Sequence, residues 1–186
     1  LQLALCHGPI DALQEIRFED KVTWQGEQQS GDIEINLPSL FGGDDKGGGV
    51  AATVIIYSGD NAQSADPYLE SHIPLLPAHR GLAYLIWQGP SQNQSGYIGT
   101  TPNIRPMHFV VKRVPQLMSS YFSGGLNGDA NAAEMIFEIL INQDWGLGLS
   151  ESQIDISAFR TAAGILKREL FGLSMTWDQV SSVESV

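Results

Sequence analysis

Val50-Ala-Ala-Thr-Val-Ile-Ile-Tyr57 is the stretch on which the fold turns. It is short, dense in apolar and β-branched residues, and free of glycine and proline, which reads as a buried strand. Before it, Asp32-Ile-Glu-Ile-Asn-Leu37 alternates, with Ile33, Ile35 and Leu37 on one face. That is the period-two signal of a half-buried strand. After it, Leu82-Ala-Tyr-Leu-Ile-Trp87 is a third strand, bounded by Gly81 and Gly89. Met107-His-Phe-Val-Val-Lys-Arg-Val114 is a fourth. One of its faces carries Met107, Phe109 and Val111, the other His108, Val110 and Lys112. Residues 16–24 hold one or two short strands around a turn at Glu19-Asp20. Prolines at 38, 67, 74, 77, 90, 102 and 106 punctuate the gaps, as loops and strand ends require.

Beyond Asp129 the period changes. Ala132, Met135, Ile136, Ile139 and Leu140 fall at i, i+3, i+4, i+7 and i+8, which predicts a helix with one apolar stripe. Asp129 serves as its N-cap, and residues 142–148 end it. A second helix is expected from Ile156 to Leu170, capped by Asp155 or Ser157. Phe159, Ala163, Leu166 and Leu170 form its buried stripe. Residues 177–186 read as a short polar helical start. Two glycine-rich stretches separate the elements. Phe41-Gly-Gly-Asp-Asp-Lys-Gly-Gly-Gly49 is a long loop between strands, and Ser123-Gly-Gly-Leu-Asn-Gly-Asp129 marks a boundary. No internal repeat is present. The fold class is α+β. A β-rich, barrel- or sandwich-like part spans 1–118, a glycine-rich linker spans 119–127, and a two-helix part spans 128–186.

Composition narrows the function. Of 186 residues, 10 are Lys or Arg and 21 are Asp or Glu, a net charge of −11. That excludes a nucleic-acid reader, which needs a basic footprint. The two parts share the acidity. Charged residues are only 17% of the chain, against about 25% in a typical soluble domain, so some of the surface is expected to be covered. Cys6 is the only cysteine, which excludes an internal disulfide framework and a multi-cysteine zinc site. No apolar run reaches the roughly 18 residues of a membrane span. Leu1-Gln-Leu-Ala-Leu-Cys6 is apolar but lacks a basic leader and a small-residue cleavage site. Because the chain starts at Leu1, it is expected to be a piece of a longer polypeptide.

The residues that could carry chemistry do not form a set. Cys6 and His7 are neighbours, and neighbours on a strand point to opposite faces, so His7 is badly placed to activate the thiol. The histidines His7, His72, His79 and His108 show no metal-ligand spacing. His72 and His79 flank a loop holding Pro74 and Pro77. Asn127, Asp129, Asn131 and Glu138 imitate a calcium loop, but Ala132 replaces the glycine of the sharp turn, and the same residues start a helix. Residues 41–49 lack the phosphate-loop pattern, and Asp44-Asp45 would repel phosphate, which leaves a flexible hairpin tip. Glu134 and Glu138, at i and i+4, read as a solvated face. Asn93-Gln-Ser95 is a glycosylation sequon that matters only in a secretory context. No catalytic, cofactor-binding or metal-binding residue is assigned, and no enzymatic activity is expected.

The ordered succession of segments nevertheless resembles a known family, the hub proteins at the tail tip of long-tailed bacteriophages. These are the lambda-type host-specificity tip protein and its relatives in prophages and gene-transfer agents. The matching segments begin with Leu5-Cys-His-Gly-Pro-Ile-Asp-Ala-Leu13 and residues 16–24. Pro38-Ser-Leu-Phe-Gly-Gly43, Gly47-Gly-Gly-Val50 and Tyr68-Leu69 follow. Next come His79-Arg-Gly-Leu-Ala-Tyr-Leu-Ile-Trp87, Tyr97-Ile-Gly99 and Pro106-Met-His-Phe-Val-Val-Lys-Arg-Val-Pro115. Residues 131–145 with Trp145-Gly-Leu-Gly148, then Phe159 and Phe171-Gly-Leu-Ser174, complete the order. The colinear set spans nearly the whole chain. The glycine run at 47–49 and the stretch 119–129 depart from the family pattern.

The resemblance implies a structural virion protein, an internal part of a tail-tip or baseplate hub. Such a hub is a homotrimer that closes the distal end of the tail tube and organises host attachment. Its partners would be its own copies and the distal tail, tape-measure and fibre proteins. DNA would pass without specific binding. It would be found in the virion tail tip, and in the bacterial cytoplasm during assembly. Buried subunit surface would account for the few charges. The alternative is a receptor- or carbohydrate-binding module of a phage tail, with Trp24, Trp87 and Trp145 stacking on sugars. A cell-wall hydrolase is a third reading.

Overall fold

The computed structural model describes residues 1–43, 45–89, 97–100, 103–115, 126 and 128–174. It is a mixed α+β fold with antiparallel sheets and three helices. The chain forms two compact units, Leu1–Arg113 and Val114–Val186. Of the expected linker 119–127, only Leu126 is described, and it is buried. Residues 177–186 lie outside the described residues. No described helix is long and apolar enough to cross a membrane.

The first unit holds two sheets. In the larger, β1 (Gln2–His7), β6 (Leu82–Gln88), β5 (Val50–Tyr57) and β4 (Gly31–Leu37) lie side by side, and β7 (Tyr97–Ile98) pairs with the start of β5. The smaller sheet runs β3 (Lys21–Gln28), β2 (Ala12–Phe18), β8 (Met107–Lys112). Register carries the alternation inward: Ile33 faces Val54, Ile35 faces Ala52 and Leu37 faces Val50. One core joins the sheets. Leu13, Ile16 and Phe18 of β2 pack with Ile33, Ile35, Val54, Ile56, Leu85 and Trp87. Phe18 meets the Trp87 ring edge-on, with centroids 5.5 Å apart. Met107, Phe109 and Val111 of β8 line the same core, as their shared face predicts.

The strands foreseen at 32–37, 50–57, 82–87 and 107–114 are present, the last ending at Lys112. Residues 16–24 belong to a longer hairpin, β2–β3. Its start defies the period because the pairing of β2 shifts between Leu13 and Glu15 against both neighbours. The bulge lets Leu13 and Ile16 both face the core, although they are three apart. The apolar start of the chain is β1, which pairs with β6. A short helix, α1 (Pro67–His72), is added; Asp66 caps it and Pro67 opens it.

The described residues of the loop 41–49 are tied together by backbone hydrogen bonds. Gly43 and Gly48 exchange both backbone hydrogen bonds, and Phe41 N donates to Gly48 O at 2.9 Å. The Arg105 guanidinium lies 4.1 Å from the Phe41 ring centroid, and its Nη1 donates to Glu19 Oε1 at 2.8 Å. Gly49 has no room for a side chain: a Cβ there would sit 2.2 Å from Leu37 O. Asp44 is outside the described residues.

The second unit is built on α2 (Ala132–Ile141) and α3 (Ile156–Arg168), with a 3-10 turn at Glu151–Gln153 between them. Three expectations are corrected here. Asn131, not Asp129, caps α2: its Oδ1 accepts from Ala133 N at 3.0 Å. Its Nδ2 also donates to Ala163 O of α3 at 3.0 Å, a bond that Asp129 could not make. Asp155 caps α3, but the helix stops at Arg168. Leu170 follows with φ +55° and is exposed; it stands in the left-handed position that ends many helices.

The third correction concerns which side of α2 is inside. Ala133, Phe137 and Ile141 pack against Phe159, Ala163 and Leu166 of α3, with Phe137 and Phe159 centroids 5.5 Å apart. Glu134 and Glu138, expected on a solvated face, are 6% and 3% exposed. The stripe of Met135, Ile136, Ile139 and Leu140 is left half-buried or open, with Ile136 at 52%. Desolvation pushes the Glu134 carboxyl up, and Lys167 of α3 works against that shift. A basic partner on the facing helix thus lowers the cost of burying a carboxylate.

Candidate functional site

Two of the first unit's buried polar groups, Gln63 and Asp66, lie just beyond the end of β5. Beyond Tyr57 the chain turns at Gly59, whose φ is +86°. A Cβ at Gly59 would come within 2.7 Å of Gly8 Cα and 2.8 Å of Ala83 N, so only glycine allows this close approach. Gln63 then folds inward. Its Oε1 accepts from Gly59 N at 2.8 Å, and its Nε2 donates to Ala78 O and His79 O at 3.0 Å. One amide therefore ties the loop after β5 to the loop before β6.

Asp66 completes the arrangement. It is 1% exposed. Its Oδ1 accepts from Leu69 N at 2.8 Å, and its Oδ2 accepts from the Tyr57 hydroxyl at 2.8 Å. The Tyr57 ring stacks on Tyr84 with centroids 4.6 Å apart and planes 8° apart. His79 meets Tyr84 edge-on at 5.5 Å. Burial pushes the Tyr57 phenol well above its ordinary value, and the bond to Asp66 adds to that. Burial, and then the Asp66 charge, push the Tyr84 phenol up to about 12. Both phenols are neutral at physiological pH. Beside Tyr57 lies an open groove of about 440 Å³ that includes Ser30, Ser58, Asp60 and Ser64.

The second unit presents an apolar surface instead. The outer face of α2 continues into the segment that follows it. Leu147 N donates to Ile139 O and Leu149 N to Leu140 O, both at 2.8 Å. Leu147 and Trp145 are exposed along with Ile136. Asn142 holds the turn, accepting from Asp144 N at 2.9 Å and Trp145 N at 3.2 Å.

The described residues singled out from sequence do not gather into one site within either unit. Cys6 is half-buried in β1, and desolvation pushes its thiol up despite the opposing Arg113 charge. His7 is exposed. His72 closes α1 with its Nδ1 2.8 Å from Tyr68 O, and His108 is exposed on β8. His79 alone joins the tyrosine cluster. Among the described residues no three His, Cys, Asp or Glu gather as a metal site requires. Of the calcium-like set, Asn131 spends its oxygen on the helix cap and Glu138 is buried in α2. The backbone of Asp129 bridges Leu126, and Asn127 is outside the described residues. The sequon Asn93-Gln-Ser95 is outside them too. Trp87 is in the core at 6% exposure and Trp24 packs against it. Only Trp145 of the three tryptophans is exposed.

Tyr57, Gln63, Asp66 and Tyr84 escape a reading by spacing because their contacts join separate strands and loops. Asp66-Pro67 was the one legible signal, a cap followed by proline at the first helical position. Neither a protein-family model nor a curated protein matches this chain.

Proposed function

We propose that the chain is a structural part of a phage or prophage tail-tip hub, without enzymatic activity. In this reading its β-rich unit has the tail-hub type of architecture. The protein works as a homotrimer, helps close the distal end of the tail tube, and contacts other tail proteins. DNA passes through the assembly without being held. The observation that carries the proposal is the outer face of α2. Exposed Ile136, with half-buried Met135, Ile139 and Leu140 beside it and exposed Leu147 after it, forms apolar surface on a chain with only 17% charged residues. Surface of this kind marks interaction sites, and hub subunits must bury such surface against one another. The colinear segments quoted above supply the identity of the assembly.

The test is the mass of the full-length protein in solution. A trimer is expected, and Ile136→Glu in the full-length protein should shift it towards monomer. A strictly monomeric full-length protein would overturn the proposal.

A further inference from the structure

The hub reading leaves the groove beside Tyr57 without a role. At about 440 Å³ it falls within the roughly 300–1,000 Å³ of small-ligand sites. Its aromatic wall is held rigidly. Tyr84 stacks on the Tyr57 ring, and buried Asp66 accepts a hydrogen bond from the Tyr57 hydroxyl. A ring fixed on both counts loses little freedom when a ligand lies against it. Ser30, Ser58, Ser64 and Asp60 also line the groove, and Asp60 Oδ1 accepts from Ala62 N at 2.6 Å. Among the described residues no Lys or Arg lines the groove, and Asp32 and Asp66 both act electrostatically on Tyr57. Anions are therefore disfavoured. Apolar surface ringed by hydroxyl and carboxylate groups matches a ligand with an apolar face and many hydroxyls.

We infer that this groove is a binding site for a neutral saccharide, whose ring lies against Tyr57 and whose hydroxyls bond to Ser30, Ser58, Ser64 and Asp60. The inference goes beyond the hub proposal, and each can fail without the other. It also differs from a tryptophan-based carbohydrate site, because the platform is a tyrosine pair locked by a buried carboxylate.

The test is a titration of the chain with the methyl glycosides of glucose, galactose, mannose and N-acetylglucosamine, followed by nitrogen–proton amide spectra. Choline and inorganic phosphate are the controls. Saturable shifts are expected at the amides of Ser30, Gly31, Ser58 and Ser64 with at least one glycoside. The dissociation constant should be in the millimolar range, as for weak small ligands. Phosphate should give no shift and choline a smaller one. Tyr57→Ala should weaken binding by about tenfold or more. Ala62→Trp places a bulky ring in the groove from an exposed position, and should abolish binding while the rest of the spectrum is unchanged. Three results would overturn the inference: no saturable shift with any of the four glycosides, equal shifts with choline, or binding that survives Ala62→Trp.

Discussion

At the scale of single residues, two ionisable groups carry measurable consequences. Tyr57 and Tyr84 are two of five tyrosines, and both phenols are held above the ordinary value of 10.0. A phenol whose folded pKa is raised contributes stability below its unfolded pKa and loses it as pH rises through the folded one. Alkaline titration of phenolate absorbance should therefore show two late-ionising tyrosines, released together as the fold is lost. Asp66→Asn removes the charge that opposes phenolate formation, so Tyr57 should ionise earlier. An unchanged titration in Asp66→Asn would refute this coupling.

Glu134 follows the same rule in the acidic range. Its folded pKa is raised above the ordinary 4.5, chiefly by burial. Its contribution is thus complete below the unfolded value and declines as pH rises through the folded one. Glu134→Gln keeps the shape and removes the titration. The variant should gain stability relative to the parent as pH rises from 4 to 7, with the smallest difference at the acid end. Thermal melts at several pH values read this directly. A variant that is less stable at neutral pH would mean that the attraction of Lys167 outweighs desolvation.

At the scale of elements, α2 decides how much could be read in advance. Ala132–Ile141 is apolar on nearly every side, and its only charges are Glu134 and Glu138. Period alone cannot orient such a helix. The rule that carboxylates face water pointed the wrong way, because α3 offers Lys167 across the interface. The orientation predicts unequal costs. Phe137→Ala empties the space against Phe159 and should cost about 3–5 kcal/mol. Ile136→Ser alters an exposed side chain and should stay within about 0.5 kcal/mol. Chemical denaturation of the two variants separates these, and equal losses would place the stripe of Ile136 inside. Asn131→Ala should cost about 1–2 kcal/mol, at the upper end because it also removes the bond to Ala163 O.

The strands show the same division between legible and hidden. β4, β5, β6 and β8 keep an unbroken period or a continuous apolar run, and so were legible. β2 was only partly so, because its bulge moves Ile16 onto the face of Leu13. β1 reads from sequence as an apolar chain start, and becomes a strand only through its pairing with β6. The candidate groove was illegible for a related reason. Stacking of Tyr57 on Tyr84 and the span of Gln63 from Gly59 to His79 exist only once β5 and β6 are paired.

At the scale of the whole molecule, charge and apolar surface pull in opposite directions. Each chain carries −11, so copies repel, while the outer face of α2 favours contact. Screening decides the balance: the Debye length falls from about 30 Å at ~0.01 M salt to about 8 Å at ~0.15 M. On the proposed hub reading, self-association of this chain should therefore strengthen as salt rises over that range. Ile136→Glu should flatten the response, since it adds charge and removes apolar contact at the same place. Sedimentation at several ionic strengths reads the trend. The same charge sets the expected behaviour towards DNA. Binding driven by phosphate contacts is strongest at low salt, so low salt is the severest test of the proposed reading that DNA passes unheld. Duplex DNA should migrate unchanged with the protein even there. Retention at low salt that is lost at high salt would reveal a basic track within the acidic body, and would sink the idea that DNA passes unheld.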